Sequence, residues 1–242
     1  MPTLLLRLNA PLQSWGTSSK FDVRDTDYYP SKSGVIGMVA AAMGYDRNVD
    51  KEELEELKGL NFGVRIDNRG TILNDYQVTE IKEYEFGKDR SEMKKYNSNI
   101  SNRRYLSDAT FLVGLESENR KLIEKIFNAV RNPKFALFLG RRSCPPSFPL
   151  VLGVKEENLY NALYNMEWLL PKKRQDEILR VKKKEYLRII TDADDSEKIV
   201  KDVPVSFSSS KREYRYRYVK EQKGKYIYLD KMGEHDPMQE LG

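Results

Sequence analysis

Ala109-Thr-Phe-Leu-Val-Gly-Leu-Glu-Ser-Glu-Asn-Arg-Lys-Leu-Ile-Glu-Lys-Ile-Phe-Asn-Ala-Val-Arg131 changes its hydrophobic period halfway along. Up to Glu116, the residues Ala109, Phe111, Val113 and Leu115 alternate, which places them on one face of a strand that begins near Leu106. Beyond it, Leu122, Ile123, Ile126, Phe127 and Val130 recur at helical spacing. Ser117 is the expected N-cap and Asn132-Pro133 the stop. The apolar run Phe135 to Leu139 then reads as a buried strand.

The N-terminal part repeats this plan. Thr3 to Leu8 reads as a strand with Leu4, Leu6 and Leu8 on one face. A helix is expected over Ser33 to Met43, with Val35, Met38, Val39 and Ala42 as its buried stripe and Gly44 as its terminator. A short charged helix, Lys51 to Lys58, precedes the alternating Leu60, Phe62, Val64 and Ile66, which end at the turn Asp67-Asn-Arg-Gly70. The order is strand, helix, strand, polar insertion at 76–105, strand, helix, strand. That order predicts an α+β, ferredoxin-like (RRM-like) domain with helices on one face of the sheet and the other face open. An open sheet face of this type suits single-stranded RNA.

After Gly153 the composition shifts. A helix is expected around Glu156 to Met166, and the basic run 172–184 reads as a solvated face. Short strands are expected at Tyr186 to Thr191, Val203 to Phe207, Arg212 to Val219 and Lys225 to Leu229. The division expected is therefore 1–154 as the first domain, carrying the insertion, and 155–242 as a small strand-rich domain. Lys231 to Gly242 reads as a loose tail.

The 242 residues carry 42 Lys+Arg against 37 Asp+Glu, a net charge of +5. Mean hydropathy is −0.69 and the sequence pI about 9.0. So mild an excess permits nucleic-acid binding without requiring it. A single cysteine, Cys144, excludes an internal disulfide and fits a reducing cytoplasm. The run Leu4 to Leu8 is too short for an export signal and contains Arg7, and no stretch is long enough for a membrane helix. Cytoplasmic location and no membrane contact are expected.

Three polar turns stand beside these apolar segments. Gly140-Arg-Arg-Ser-Cys-Pro-Pro146 leaves a presumed strand through a glycine able to adopt positive φ, so its amides, Arg141, Arg142 and Ser143 can converge on a phosphate. An ordinary surface loop is the equal alternative. Pro30-Ser-Lys-Ser-Gly-Val-Ile-Gly37 offers a helix start plus Lys32 and the hydroxyls of Ser31 and Ser33, or else simple capping. In Gln13-Ser-Trp-Gly16, Trp15 can stack on a base or cover the end of the sheet. The insertion interleaves Lys82, Lys88, Arg90, Lys94, Lys95, Arg103 and Arg104 with Tyr84, Phe86, Tyr96 and Tyr105, among several acids. Lys211 to Val219 alternates tyrosines with cations, mainly as a strand with one aromatic face. Catalysis finds little support: the sole histidine is His235, and no carboxylate or thiol set has metal-ligand spacing. No metal and no cofactor are expected. A metal-independent ribonuclease using Tyr28, Tyr29 and Lys32 stays open as an alternative, as does an interaction protein that never meets RNA.

Four ordered motifs carry a resemblance. Leu6-Arg-Leu-Asn-Ala-Pro-Leu-Gln-Ser-Trp-Gly16, Tyr29-Pro-Ser-Lys-Ser-Gly-Val-Ile-Gly37, Tyr105-Leu-Ser-Asp-Ala-Thr-Phe111 and Leu139-Gly-Arg-Arg-Ser-Cys-Pro-Pro146 resemble the CasD subunits of type I-E CRISPR Cascade complexes, members of the RAMP superfamily. The likeness runs from residue 4 to about 153 and continues weakly to Val219. It implies a ferredoxin-like palm, residues 76–105 as a β-hairpin thumb and a small C-terminal domain. It also implies a non-catalytic subunit that grips the 5′ handle of the CRISPR RNA. Its partners would be a backbone subunit and the large PAM-recognising subunit, with target DNA met only through the complex. The residues expected at RNA are Gln13, Trp15, Ser31, Lys32, Ser33, Arg103, Arg104, Tyr105, Gly140, Arg141, Arg142 and Ser143. In related type I-C systems a RAMP subunit processes precursor CRISPR RNA, which keeps the enzyme alternative in view.

Overall fold

The computed structural model describes residues 1–17, 23–46, 51–82, 96–208 and 213–228. In chain order the elements are β1 (Thr3–Asn9), β2 (Leu12–Gln13), β3 (Val23–Arg24), α1 (Lys32–Met43), α2 (Lys51–Lys58), β4 (Asn61–Asn68), β5 (Thr71–Lys82), β6 (Tyr96–Ser107) and β7 (Thr110–Glu116). There follow α3 (Arg120–Arg131), β8 (Val151–Lys155), α4 (Leu159–Asn165), α5 (Lys172–Lys182), β9 (Lys184–Ala193), β10 (Ile199–Ser206) and β11 (Glu213–Tyr228). The chain is a mixed α/β protein built mostly of strands.

The alternation read in the sequence sets the centre of the main sheet, whose seven strands run β10-β11-β9-β4-β7-β1-β8. β1 pairs antiparallel with β7, Leu4 opposite Leu115 and Leu6 opposite Val113, and β7 pairs antiparallel with β4, Val64 opposite Val113. Leu4, Leu6, Leu8, Phe62, Val64, Phe111 and Val113 pack against Val35, Val39, Ile123 and Ile126 of α1 and α3 in the principal core. Ser31 caps α1, its side chain accepting from the Gly34 amide at 3.3 Å, and Gly44 ends that helix at φ +84°. The cap of α3 is Asn119, whose side chain accepts from the Leu122 amide at 3.2 Å; Ser117 instead takes the Asn119 amide. Asn119 stands three residues before that amide, the usual spacing of a side-chain cap.

The opposite face is not open. α4 lies across it, with Leu159, Ala162 and Leu163 packed on Leu5, Leu112 and Ile189. Two glycines admit this helix: a Cβ at Gly114 would meet Leu159 Cδ1 at 2.5 Å, and one at Gly63 would meet Leu163 Cδ1 at 2.8 Å. Arg65 fastens the C-terminal end of α4. Its buried guanidinium donates to Leu163 O at 2.7 Å, to Met166 O and to Glu167 O at 2.7 Å, while pairing with Asp67. Helix C-termini leave carbonyls unpaired and carry negative partial charge, so an arginine is the matching partner. The apolar residues Leu5 and Leu112 on this face are the reason it is covered rather than wet.

Two further readings are corrected. Phe135 to Leu139 is not a strand, because its amides face other partners: Lys134 and Phe135 donate to Ala42 O and Ala41 O at the end of α1, and Leu139 donates to Cys144 O. Beside β1 lies β8 instead, with Leu4 opposite Val154. The run 172–184 keeps its lysines and arginines exposed, as a solvated face, on helix α5, which buries Leu179 against Trp168, Leu170 and Leu187. Arg212 to Val219 and Lys225 to Leu229 belong, where described, to one continuous strand, β11.

The strands after residue 155 join the main sheet: β9 pairs with β4, Val64 opposite Ile190, and β11 pairs with both β9 and β10. A second sheet is formed by the hairpin β5–β6, register Thr71 to Ser107 through Lys82 to Tyr96, with β2 and β3 added to β6. The tail Lys231 to Gly242, His235 included, lies outside the described residues. Among the described residues no helix is long and apolar enough to cross a membrane.

Candidate nucleic-acid interface

The three polar turns meet at one end of β1. Gln13 is fully buried; its amide nitrogen donates to Ala109 O at 2.7 Å, and its oxygen accepts from Trp15 Nε1 at 3.1 Å. Trp15, 1% exposed, presses on the first turn of α1, where a Cβ at Gly34 would stand 2.9 Å from Trp15 Cε3. A buried indole of this kind removes about 150–250 Å² from water. Trp15 is thus an anchor between two turns. No face of it is left for a base.

Gly140 adopts φ +89°, and a Cβ there would lie 1.5 Å from Ser14 O. Close approach of the two backbones lets the Ser14 amide donate to Leu139 O at 3.1 Å. Only glycine fits this crossing. The loop it opens sends Arg141 across to the second sheet. Arg141 donates to Arg24 O at 2.7 Å and Arg104 O at 3.1 Å, with its guanidinium 4.5 Å from the Tyr105 ring centroid. Tyr105 is buried beneath it. Arg142 and Ser143 remain exposed. Cys144 is buried, and that burial raises its thiol pKa, against the nearby Ser143 and Arg141. It is not poised as a thiolate.

Lys32 takes a different place from the one its motif suggested. It is 5% exposed, and its ammonium donates to Leu60 O at 2.7 Å and to Asp192 Oδ2 at 3.0 Å. Its amide donates to Asp202 Oδ2 at 2.7 Å. Arg217 completes the network, with Nε 2.6 Å from Asp202 Oδ1 and its guanidinium 5.1 Å from the Phe62 ring. Burial works against the charge of Arg217, but hydrogen bonds and charges from Asp202 and Asp192 outweigh it and its pKa rises. Gln13, Trp15, Ser31 and Lys32 are thus buried, with polar atoms occupied inside the protein. Ser33, half-buried, hydrogen-bonds Ser31.

Around the crossing lie exposed and half-buried cations. Arg24 comes from β3, which pairs in parallel with β6 at Arg103, and Arg104 lies next on β6. Arg104 meets Asp25 at 3.5 Å, both well exposed, a geometry worth little in stability. Arg103 is half-buried and its Nε has no partner. Arg24, Arg103 and Arg104 thus lie on the two strands that Arg141 joins to the Gly140 loop, with Arg103 and Arg104 on opposite faces of β6, and Arg142 and Ser143 follow Arg141 in that loop. Arg24 was not among the expected residues; its segment lacks any period, so nothing in the sequence places it against β6. Lys88, Arg90, Lys94 and Lys95 lie outside the described residues. Among the described residues no group of three or more His, Cys, Asp or Glu is placed to hold a metal ion.

A rim of forked donors on a rigid base is suited to sugar-phosphate, whereas the Gly140 and Cys144 amides are spent inside the loop on Phe138 O and Arg141 O. The family model described as CRISPR-associated protein (Cas_Cas5) matches residues 3–220. The CRISPR system Cascade subunit CasD of Escherichia coli (strain K12) is 34% identical over 174 residues, spanning 68% of this chain and 76% of CasD. A solved Cas protein is 37% identical with a TM-score of 0.67, covering 91% of this chain and 94% of its own. A chain of a CRISPR RNA-guided surveillance complex is 29% identical with a TM-score of 0.70, covering 92% of this chain and 90% of its own.

Proposed function

The chain belongs to the Cas5 family of CRISPR-associated proteins, and from that premise we propose that it is a non-catalytic CRISPR RNA-binding subunit of a type I-E Cascade surveillance complex. It grips the 5′ handle of the guide and caps the backbone beside the large PAM-recognising subunit. Target DNA is reached only through the assembled complex, in the cytoplasm. One observation carries the reading: Trp15 on Gly34, Gly140 on Ser14 and Arg141 on Tyr105 draw three distant turns and the hairpin root into a single cationic rim.

In this reading Arg24, Arg103, Arg104, Arg142 and Ser143 contact phosphates, and Arg141 adds charge while holding β3 to β6. Gln13, Trp15, Ser31, Lys32, Tyr105 and Gly140 position the loops. The palm, residues 1–154, is ferredoxin-like; the sheet order β4-β7-β1-β8 and the helices α1 and α3 on one face support this. Residues 76–105 are the thumb, within the β5–β6 hairpin. Residues 155–242 form the C-terminal part, which extends the β4 edge through β9.

The rival is a ribonuclease that processes the precursor RNA with Tyr28, Tyr29 and Lys32. Lys32 is held by Leu60 O and Asp192, and burial raises the pKa of Tyr29. Both observations favour retention over cleavage. The test is incubation of the purified chain with labelled repeat RNA in EDTA. Stable retention of intact RNA is expected; site-specific cutting would overturn the reading in favour of the enzyme.

A further inference from the structure

Among the described residues, the sheet face that α4 covers at its centre continues uncovered over β10 and β11. Tyr214, Tyr216 and Tyr218 occupy every second position of β11 and so share that face. The register sets Lys201 opposite Tyr216 and Ile199 opposite Tyr218. Tyr216 is 68% exposed, Ile199 54% and Tyr218 42%. Lys201 Nζ lies 5.4 Å from the Tyr216 ring centroid, and exposed Lys220 extends the row. The acids of these strands turn the other way: Asp202 is buried on Arg217, and Glu221 pairs with Arg188. Asp194, Asp195 and Glu197, in the connection from β9 to β10, bound the row beyond Tyr218.

We propose that this row is a second contact surface, separate from the Gly140 rim, for a single-stranded polynucleotide held through its bases. Tyrosines two residues apart on a strand stand about 6.8 Å from one another, so each ring can take one base while lysines meet the phosphates between. Exposed lysines at the centre of such a row argue against a protein partner, because lysine is depleted where protein interfaces are dry. Base stacking does not distinguish RNA from DNA by the sugar. A duplex, whose bases are already stacked, is excluded.

The test uses the full chain and its Arg104→Ala/Arg142→Ala variant, so that failure of the rim and failure of the tyrosine row read out separately. Fluorescence anisotropy with labelled oligouridylate and oligothymidylate compares Tyr216→Leu/Tyr218→Leu with Tyr216→Phe/Tyr218→Phe. The leucine pair weakens both oligonucleotides by about 30-fold, roughly 5-fold for each lost stack, while the phenylalanine pair binds as the parent does. Photocrosslinks from iodouracil map to Tyr216 and Tyr218 and persist in the arginine variant. Leucine variants that bind like the parent, an equal loss in the phenylalanine pair, crosslinks confined to the hairpin and the Gly140 loop, or equal competition by duplex would each overturn the proposal.

Discussion

Replacing Gly140 with alanine strikes the crossing on which the whole site rests. The residue holds φ +89°, and the new Cβ would fall 1.5 Å from Ser14 O. The dihedral alone costs about 1–2 kcal/mol for an L-residue. No side chain can move aside, because the atom struck is backbone, so the loop must lift and the buried Ser14 amide loses Leu139 O. An unpaired buried amide costs about 1–3 kcal/mol more, giving roughly 3 kcal/mol in all. Gly153→Ala is the matched control: φ is +133°, and nothing lies within 4 Å of the added carbon. It carries backbone strain without collision, about 1–2 kcal/mol. Urea unfolding at unchanged slope gives both numbers directly. Gly140→Ala should also weaken handle RNA binding, since Arg141 and Arg142 follow the loop, whereas Gly153→Ala should leave binding intact. Equal stability losses in the two variants, or a Gly140→Ala protein as stable as the parent, would refute the packing argument.

Arg65→Met strands the buried Asp67 carboxylate and the carbonyls at the end of α4; a loss of about 3–5 kcal/mol in urea midpoint analysis is expected, and a loss below 1 kcal/mol would count against this anchor. Asp27 titrates above the usual carboxylate range because burial opposes its charge, partly offset by the Thr17 hydrogen bonds. A carboxyl raised on folding binds protons more tightly in the native state, so its contribution falls as pH climbs from the unfolded to the folded pKa. Asp27→Asn should remove that decline, seen as a variant that gains on the parent across this window; a pH-independent difference would contradict it.

Much of the central sheet is written locally. Leu4, Leu6 and Leu8 alternate because every second residue faces α1 and α3, and Gly44 sits where a left-handed cap is needed. Phe135 to Leu139 misleads because an apolar run says only that a segment is partly dry, not that its amides face a strand; here Phe135 donates to the end of α1 and Leu139 to Cys144 O. The covered face was missed for a related reason. Gly63 and Gly114 make room for α4, and no local pattern around them tells that a helix rests there. At the site, the Trp15 and Ser31 turns are legible because they flank β1 and α1, whereas the Gly140 turn reaches them although no strand precedes it. The roles inside them are not legible, since Lys32 finds Asp192 and Asp202 in strands 160 and 170 residues away. No local pattern reports such partners.

The salt dependence of handle RNA binding tests the central claim most directly. Arg104→Ala/Arg142→Ala removes two exposed forks while sparing the buried supports of the rim. The slope of log affinity against log salt should flatten by about 1.4, or 0.7 for each lost phosphate contact on a single strand. An affinity and slope equal to those of the parent would contradict the assignment of this rim to the guide.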